Sequence, residues 1–288
     1  MDQFNVYKDM KARTNGEIYI GVVGPVRTGK STFIKRFMNL MVLPNIEDEN
    51  DRNRANDELP QSSSGKTIMT TEPKFIPKEA AVIHFSNQET GKIRLIDCVG
   101  YLVPEAVGAI EEEKERMVKT PWSEEEIPFS KAAEIGTSKV IREHSNLGLI
   151  ITTDGSFGDV PAVNFEEALQ KTVMECEKAG KPFLILVNTS RPDSQETIQF
   201  TKRLEAQYGK TVMAVNCKTM DREDVFRIME QLLADFPITR LNFLLPKWVE
   251  FLQPDNWLKQ DLIEKCRNVI QKAVSYTHLR AHETRHDL

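Results

Sequence analysis

Residues 24–31 read Gly-Pro-Val-Arg-Thr-Gly-Lys-Ser, a full match to G-x-x-x-x-G-K-[ST]. No other stretch of the chain constrains its fold as much. Before it, Glu17 to Val23 (EIYIGVV) is a short, β-branched apolar run that reads as a buried strand. After it, from Ser31 to Val42, apolar residues recur at helical spacing until Pro44 stops the run. A strand, a glycine-bearing turn and a helix in that order wrap successive backbone N–H groups around a phosphate. The positive end of the helix dipole faces the same phosphate. Lys30 is expected to neutralise β/γ-phosphate oxygens, and the Ser31 hydroxyl to ligate Mg²⁺. Gly24, Arg27, Thr28, Gly29 and Thr32 complete the set expected to line the nucleotide.

A second motif supplies the other half of such a site. The strand Ile93–Cys98 (IRLIDC) brings Asp97 to its end, and Gly100 follows in D-x-x-G spacing. The Asp97 carboxylate is expected to hold the Mg²⁺ shell. The Gly100 N–H is expected to meet the γ-phosphate. Between the motifs, residues 45–72 are polar and read as one long loop, which in a compact domain is functional or mobile. Thr70 and Thr71 lie near its end, and one of the pair is expected to complete the Mg²⁺ shell and orient the attacking water. Ala81–Phe85 (AVIHF) reads as an antiparallel partner of the Asp97 strand.

The rest of the chain alternates. Leu147–Thr152, Phe183–Asn188 and Thr211–Asn216 read as strands, with helices at Val163–Ala179, near Ser194–Tyr208 and at Arg222–Phe236. This pattern gives an α/β fold, a mostly parallel sheet flanked by helices. Residues 105–145, with their EEEKERM and SEEE runs, read as charge-rich helix with solvated faces. We divide the chain into an N-terminal arm (1–15), a P-loop domain (16–237), the start of a second, incomplete domain with a helix at Trp257–Val274 (238–274), and a tail (275–288). The tail aligns His278, His282 and His286 at i, i+4, i+8, but no carboxylate or thiolate framework surrounds them. It resembles a non-native reading-frame tail and is left out of the fold reading.

Lys plus Arg number 38 against 43 Asp plus Glu, a net charge of −5, which is not the electrostatic footprint of a nucleic-acid binder. The four cysteines lie far apart and read as reduced thiols. No apolar leader and no run of eighteen apolar residues is present, so neither a signal peptide nor a membrane span is expected.

The order of P-loop, threonine-bearing loop, antiparallel strand and D-x-x-G is the layout of the translation-factor-related GTPases. Those proteins read guanine with N-K-x-D after a later strand. Here that strand ends Asn188-Thr189-Ser190-Arg191. Asn188 is kept, but Arg191 stands where the Asp would accept two hydrogen bonds from guanine, and a guanidinium has no acceptors. ATP is therefore the expected nucleotide. A small-molecule kinase would need an acceptor pocket and an arginine-bearing lid, which fits the D-x-x-G less well.

The stretches EIYIGVVGPVRTGKSTFIKRF, ELPQSSSGKTIMTTEPKFIP, IRLIDCVGY and LVNTSRP resemble the spore-coat morphogenetic ATPases of endospore-forming Firmicutes. The resemblance runs over about residues 1–274. It implies ATP hydrolysis that drives self-assembly into a static polymer at the outer forespore membrane, in the mother-cell cytoplasm. It also implies other spore-coat morphogenetic proteins as partners, and a small amphipathic membrane-bound partner reached through a C-terminal region that this chain lacks. In related GTPases, a glutamine after the D-x-x-G glycine orients water; here that residue is Tyr101. Some relatives hold a potassium ion through an Asn at the P-loop position occupied here by Arg27. This suggests Arg27 as an arginine finger, in cis or between subunits.

Overall fold

The computed structural model describes residues 17–60, 72–86, 89–104, 110–111, 114–157, 160–234 and 243–272. The arm at 1–15, the Thr70/Thr71 pair and the histidines of the tail lie outside the described residues. Two compact units divide the chain, residues 1–232 and 233–288.

The first unit is built on strands β1 (Glu17–Val23), β2 (Lys74–Ser86), β3 (Glu89–Asp97) and, after a two-stranded ribbon of β4 (Met117–Thr120) and β5 (Ser123–Pro128), on β6 (Leu147–Thr153), β7 (Phe183–Asn188) and β8 (Val212–Val215). Six of them form one sheet in the order β8-β7-β6-β1-β3-β2. All of its pairings are parallel except β2 with β3. β6 and β7 are buried along their whole length, as strands covered on both faces must be, which explains their unbroken apolar runs. On one face Val23, Ile96, Ile150, Ile185 and Val187 join Leu169, Val173 and Leu204 from the helices α4 (Glu166–Lys178) and α5 (Gln195–Tyr208). Their strand neighbours Val22, Leu95, Leu149, Ile151 and Leu186 are equally buried and point the opposite way, as the period of two requires.

The pairing of β1 with β3 sets Val22 beside Asp97, so the two motif-bearing strands end at the same height. The helix α1 (Lys30–Phe37) packs on β1 and β3, with Phe33, Ile34 and Phe37 inward. It does not run regularly to Val42 as its periodicity predicts. At Met38 it widens into a π-helical turn over Met38–Val42 and ends in a 3-10 turn that contains Pro44.

Three readings from sequence are corrected. Residues 45–72 are not all loop, because α2 spans Glu49–Asp57, capped where Asp48 accepts from the Asp51 N–H at 2.9 Å. Only Ala55 of that helix is buried, so no apolar stripe announced it. The strand expected at Ala81–Phe85 begins at Lys74, with its ladder interrupted between Ile76 and Ala81, around Pro77. Residues 105–145 are not one helical stretch. Lys114–Glu115 pairs antiparallel with Ile110–Glu111, the SEEE run forms β5, and the helix α3 (Phe129–Lys139) starts only afterwards. Glu124, Glu125 and Glu126 are exposed, so the expectation of solvation holds although the element is a strand. Glutamate runs carry no facial pattern, and strand pairing decided the outcome.

The helix α6 (Arg222–Ala234) closes the alternating series. Within the second unit, a 3-10 turn at Lys247–Val249 precedes α7 (Trp257–Lys272), and the Lys259 ammonium donates to the Leu252 carbonyl at 2.9 Å. No helix among the described residues is long and apolar enough to cross a membrane.

Candidate functional site

The loop between β1 and α1 is fixed by three close approaches that only glycine permits. Gly24 has φ +128°, and a Cβ there would lie 2.3 Å from the Ile151 carbonyl oxygen. At Gly29, φ +98°, it would meet the Asn188 amide nitrogen at 2.4 Å. At Gly100, φ +93°, it would lie 2.0 Å from the Gly24 carbonyl oxygen and 2.6 Å from the Lys30 ammonium. The two motifs therefore touch through glycine, and the loop closes around Lys30. Gly29 also opens α1, and no side chain caps the amides that follow it. Uncapped N–H groups at a helix start are ready acceptance points for an anion.

Lys30 is buried, and its ammonium donates to the carbonyls of Pro25 at 2.5 Å and Gly24 at 3.3 Å. Burial pushes its pKa down, opposed by Cys98 and Asp97 nearby. The Ser31 hydroxyl donates to Asp97 Oδ2 at 3.0 Å. The other oxygen of that carboxylate, Oδ1, is buried with no hydrogen-bond partner. Burial raises the Asp97 pKa, while Lys30 and the Ser31 bond act against the rise. An orphaned carboxylate oxygen beside a hydroxyl, facing a lysine, is a donor pair that fits a hard divalent cation. Among the described residues no three His, Cys, Asp or Glu gather into a metal cluster, so such a cation would take its remaining ligands from water, from a bound phosphate or from the threonine expected of the Thr70/Thr71 pair.

Thr28 and Asn188 brace the loop from within. The Thr28 hydroxyl donates to the Pro25 carbonyl at 3.0 Å. Asn188 is 6% exposed; its amide donates to the Thr28 carbonyl and its Oδ1 accepts from the Cys217 N–H, both at 3.0 Å. It thus ties the phosphate-type loop to the turn after β8. Removing that amide leaves a buried carbonyl and a buried N–H unpaired, so Asn188→Ala is expected to cost about 2–4 kcal/mol. Chemical denaturation checks this, and a loss under about 0.5 kcal/mol would contradict the bracing role. Thr32 follows on α1, half-buried.

Thr189 is turned inward, where its hydroxyl donates to Asp154 Oδ2 at 2.6 Å and accepts from the Arg191 N–H at 3.2 Å. Asp154 also accepts from the Ser156 N–H at 3.0 Å, and such bonds hold its pKa below the usual carboxylate range against the opposing effect of burial. Arg191 is exposed, and among the described residues its guanidinium reaches only Glu196, at 3.6 Å. The Asp154–Ser156–Thr189 network and the Cys217 contact were invisible in the sequence. Their only signal was position, each lying at the carboxyl end of a parallel strand, where open α/β sheets place their sites.

Tyr101 links this site to the outer surface. Its carbonyl accepts from the Val26 N–H at 2.9 Å, and its side chain packs with Val26, Val103, Val160, Phe165 and Ala168. It also lines a groove of about 350 Å³ between α3 and α4, beside Glu134, Ile135, Lys171, Met174 and Glu175.

The family described as "Stage IV sporulation protein A, ATPase domain" matches residues 1–237. The chain belongs to that family. Stage IV sporulation protein A of Bacillus subtilis (strain 168) is 48% identical over 271 residues, which cover 94% of this chain and 55% of that protein. The same protein of Bacillus anthracis gives the same figures, 48% over 271 residues. The protein of Clostridioides difficile (strain 630) is 46% identical over 266 residues, 92% of this chain and 54% of its own length. The chain thus spans about half the length of these relatives, 55% at most.

Proposed function

We propose that this chain carries the Mg²⁺-dependent ATP-hydrolysing site of a sporulation ATPase, with a P-loop and the sheet topology of the translation-factor-related GTPases. The strand order, with β2 alone antiparallel, and the loop at Gly24–Ser31 support that assignment. The observation that carries the reading is the buried Ser31–Asp97 pair with its free Oδ1, set against Lys30.

In this reading Lys30 and the first amides of α1 hold the β/γ-phosphates, with Gly24, Gly29 and Gly100 giving the backbone room to approach. Ser31 and Asp97 would hold Mg²⁺, which would supply charge neutralisation to the phosphate oxygens. Thr70 or Thr71 positions the water. The water oxygen bonds to the γ-phosphorus and the bond to the β,γ-bridging oxygen breaks. ADP leaves with that electron pair, and the proton passes to phosphate or solvent. Asn188 sets the loop's position, the Thr189 hydroxyl is committed to Asp154, and the Arg191 guanidinium has no acceptor to offer guanine.

The domain holding the site is proposed to run over residues 16–237, with another beginning at 238. We further propose that hydrolysis drives assembly of copies of this protein into a static polymer in the mother-cell cytoplasm, at the outer forespore membrane. Other spore-coat morphogenetic proteins would join it, and a small amphipathic membrane partner would do so through the C-terminal region of the longer relatives. A net charge of −5 gives no footprint for nucleic acid.

Phosphate release measured side by side with ATP and GTP tests the core of this. ATP is expected to turn over at least tenfold more efficiently, and a chelator to stop it. Preference for GTP would favour a regulatory switch acting on a protein partner, and turnover in excess chelator would remove the Mg²⁺ role of Ser31 and Asp97.

A further inference from the structure

Arg27 is the single non-glycine residue with positive φ among the described residues, at +65°. A side chain in that region crowds its own backbone, so glycine would sit there without strain. Such strain persists where the surroundings impose it, and it gathers at functional sites. Here both neighbours are pinned, Val26 by its N–H bond to the Tyr101 carbonyl at 2.9 Å and Thr28 by the Asn188 amide at 3.0 Å. The side chain gains nothing from packing in return. It is exposed, and no acceptor among the described residues holds its guanidinium.

Two further observations give the guanidinium a task. Lys30, the other cation of the loop, is buried and committed to the Pro25 and Gly24 carbonyls. Tyr101, which follows Gly100, is 6% exposed and turned into an apolar cluster, so it brings no polar group to the reacting phosphate.

We propose that Arg27 is the loop's second phosphate-binding cation, which closes over the β/γ-phosphates of ATP and neutralises the charge that builds on the bridging oxygen as its bond to the γ-phosphorus breaks. This rests on the ATP-hydrolysing reading above. A planar guanidinium with five donors matches two phosphate oxygens at once, which a lysine ammonium does less well.

The positive φ makes the test clean. Arg27→Gly removes the guanidinium and relieves the backbone, so a merely structural Arg27 predicts unchanged or raised stability with unchanged kinetics. The proposal predicts that Arg27→Gly melts no lower than the wild type while kcat falls by up to about 10³-fold. The preference of the binding site for ATP over ADP, measured by calorimetry with each nucleotide, should shrink at least several-fold. Arg27→Lys should recover part of both, and wild-type turnover should be equal in potassium and in sodium. An Arg27→Gly protein with wild-type kcat and an unchanged ATP-to-ADP affinity ratio overturns the proposal, and so does turnover that requires potassium. If Arg27→Gly does not fold, Arg27→Lys is read against the wild type by the same affinity ratio. Failure of the wild type itself to bind or hydrolyse ATP would instead overturn the nucleotide reading.

Discussion

Lys30→Ala is expected to abolish turnover and to raise the Kd for ATP more than 100-fold while leaving the fold in place. The side chain is the buried cation of the loop. Charge-assisted bonds to phosphate oxygens contribute about 1.5–3 kcal/mol each, so losing two removes about 3 kcal/mol or more. The second part of the loss falls on Asp97. Its ionised form is already disfavoured by burial, and Lys30 is the largest group opposing that. Without the lysine, the carboxylate that should face Mg²⁺ becomes harder to ionise. The empty protein should tolerate the change, because burial disfavours the charged lysine and the Pro25 carbonyl keeps its bond from Thr28. Calorimetric titration with ATP, beside thermal melts of both proteins, reads these effects separately. Wild-type affinity in Lys30→Ala would remove the loop as the phosphate site.

Asp97→Asn is expected to separate binding from chemistry. The amide keeps an acceptor for the Ser31 hydroxyl but loses the charge offered to Mg²⁺. Turnover should fall by about 10²–10³-fold, the scale of losing one preorganised electrostatic partner, while ATP affinity changes far less. The empty variant should also be more stable than the wild type near neutral pH. A raised carboxyl pKa means that ionised Asp97 is a cost to the folded state, one that grows as pH rises through the folded pKa and vanishes below the unfolded one. The stability gap between the two proteins should therefore narrow on acidification. A gap that widens as pH falls would reverse the electrostatic assignment of this pair. The double variant Thr70→Ala, Thr71→Ala should behave like Asp97→Asn in turnover, retaining most of its ATP affinity.

What could be read from the chain alone followed from how local each signal was. GPVRTGKS and DCVG carry their geometry within eight and four residues, and both were placed where β1 and β3 deliver them. The buried strands β6 and β7 were equally plain, being unbroken apolar runs. Partnership across the sheet was not legible. Asn188 kept the expected identity, yet that it reaches Thr28 and Cys217, 160 and 29 residues away in sequence, follows only from strand order. The helix α2 escaped because polar residues on every side leave nothing periodic to detect, and β5 escaped because three glutamates in a row suit a solvated strand as well as a helix.

Tyr101 belongs to two places at once, through its carbonyl to the phosphate-type loop and through its ring to the groove between α3 and α4. The two cannot be occupied independently if either one shifts that residue. A molecule that seats in the groove changes the affinity for ATP only as far as the Tyr101 carbonyl moves with the ring, and ATP then changes the affinity for that molecule by the same factor. A groove on the flank of the domain becomes, on that account, a place from which the nucleotide site can be weighted without being touched.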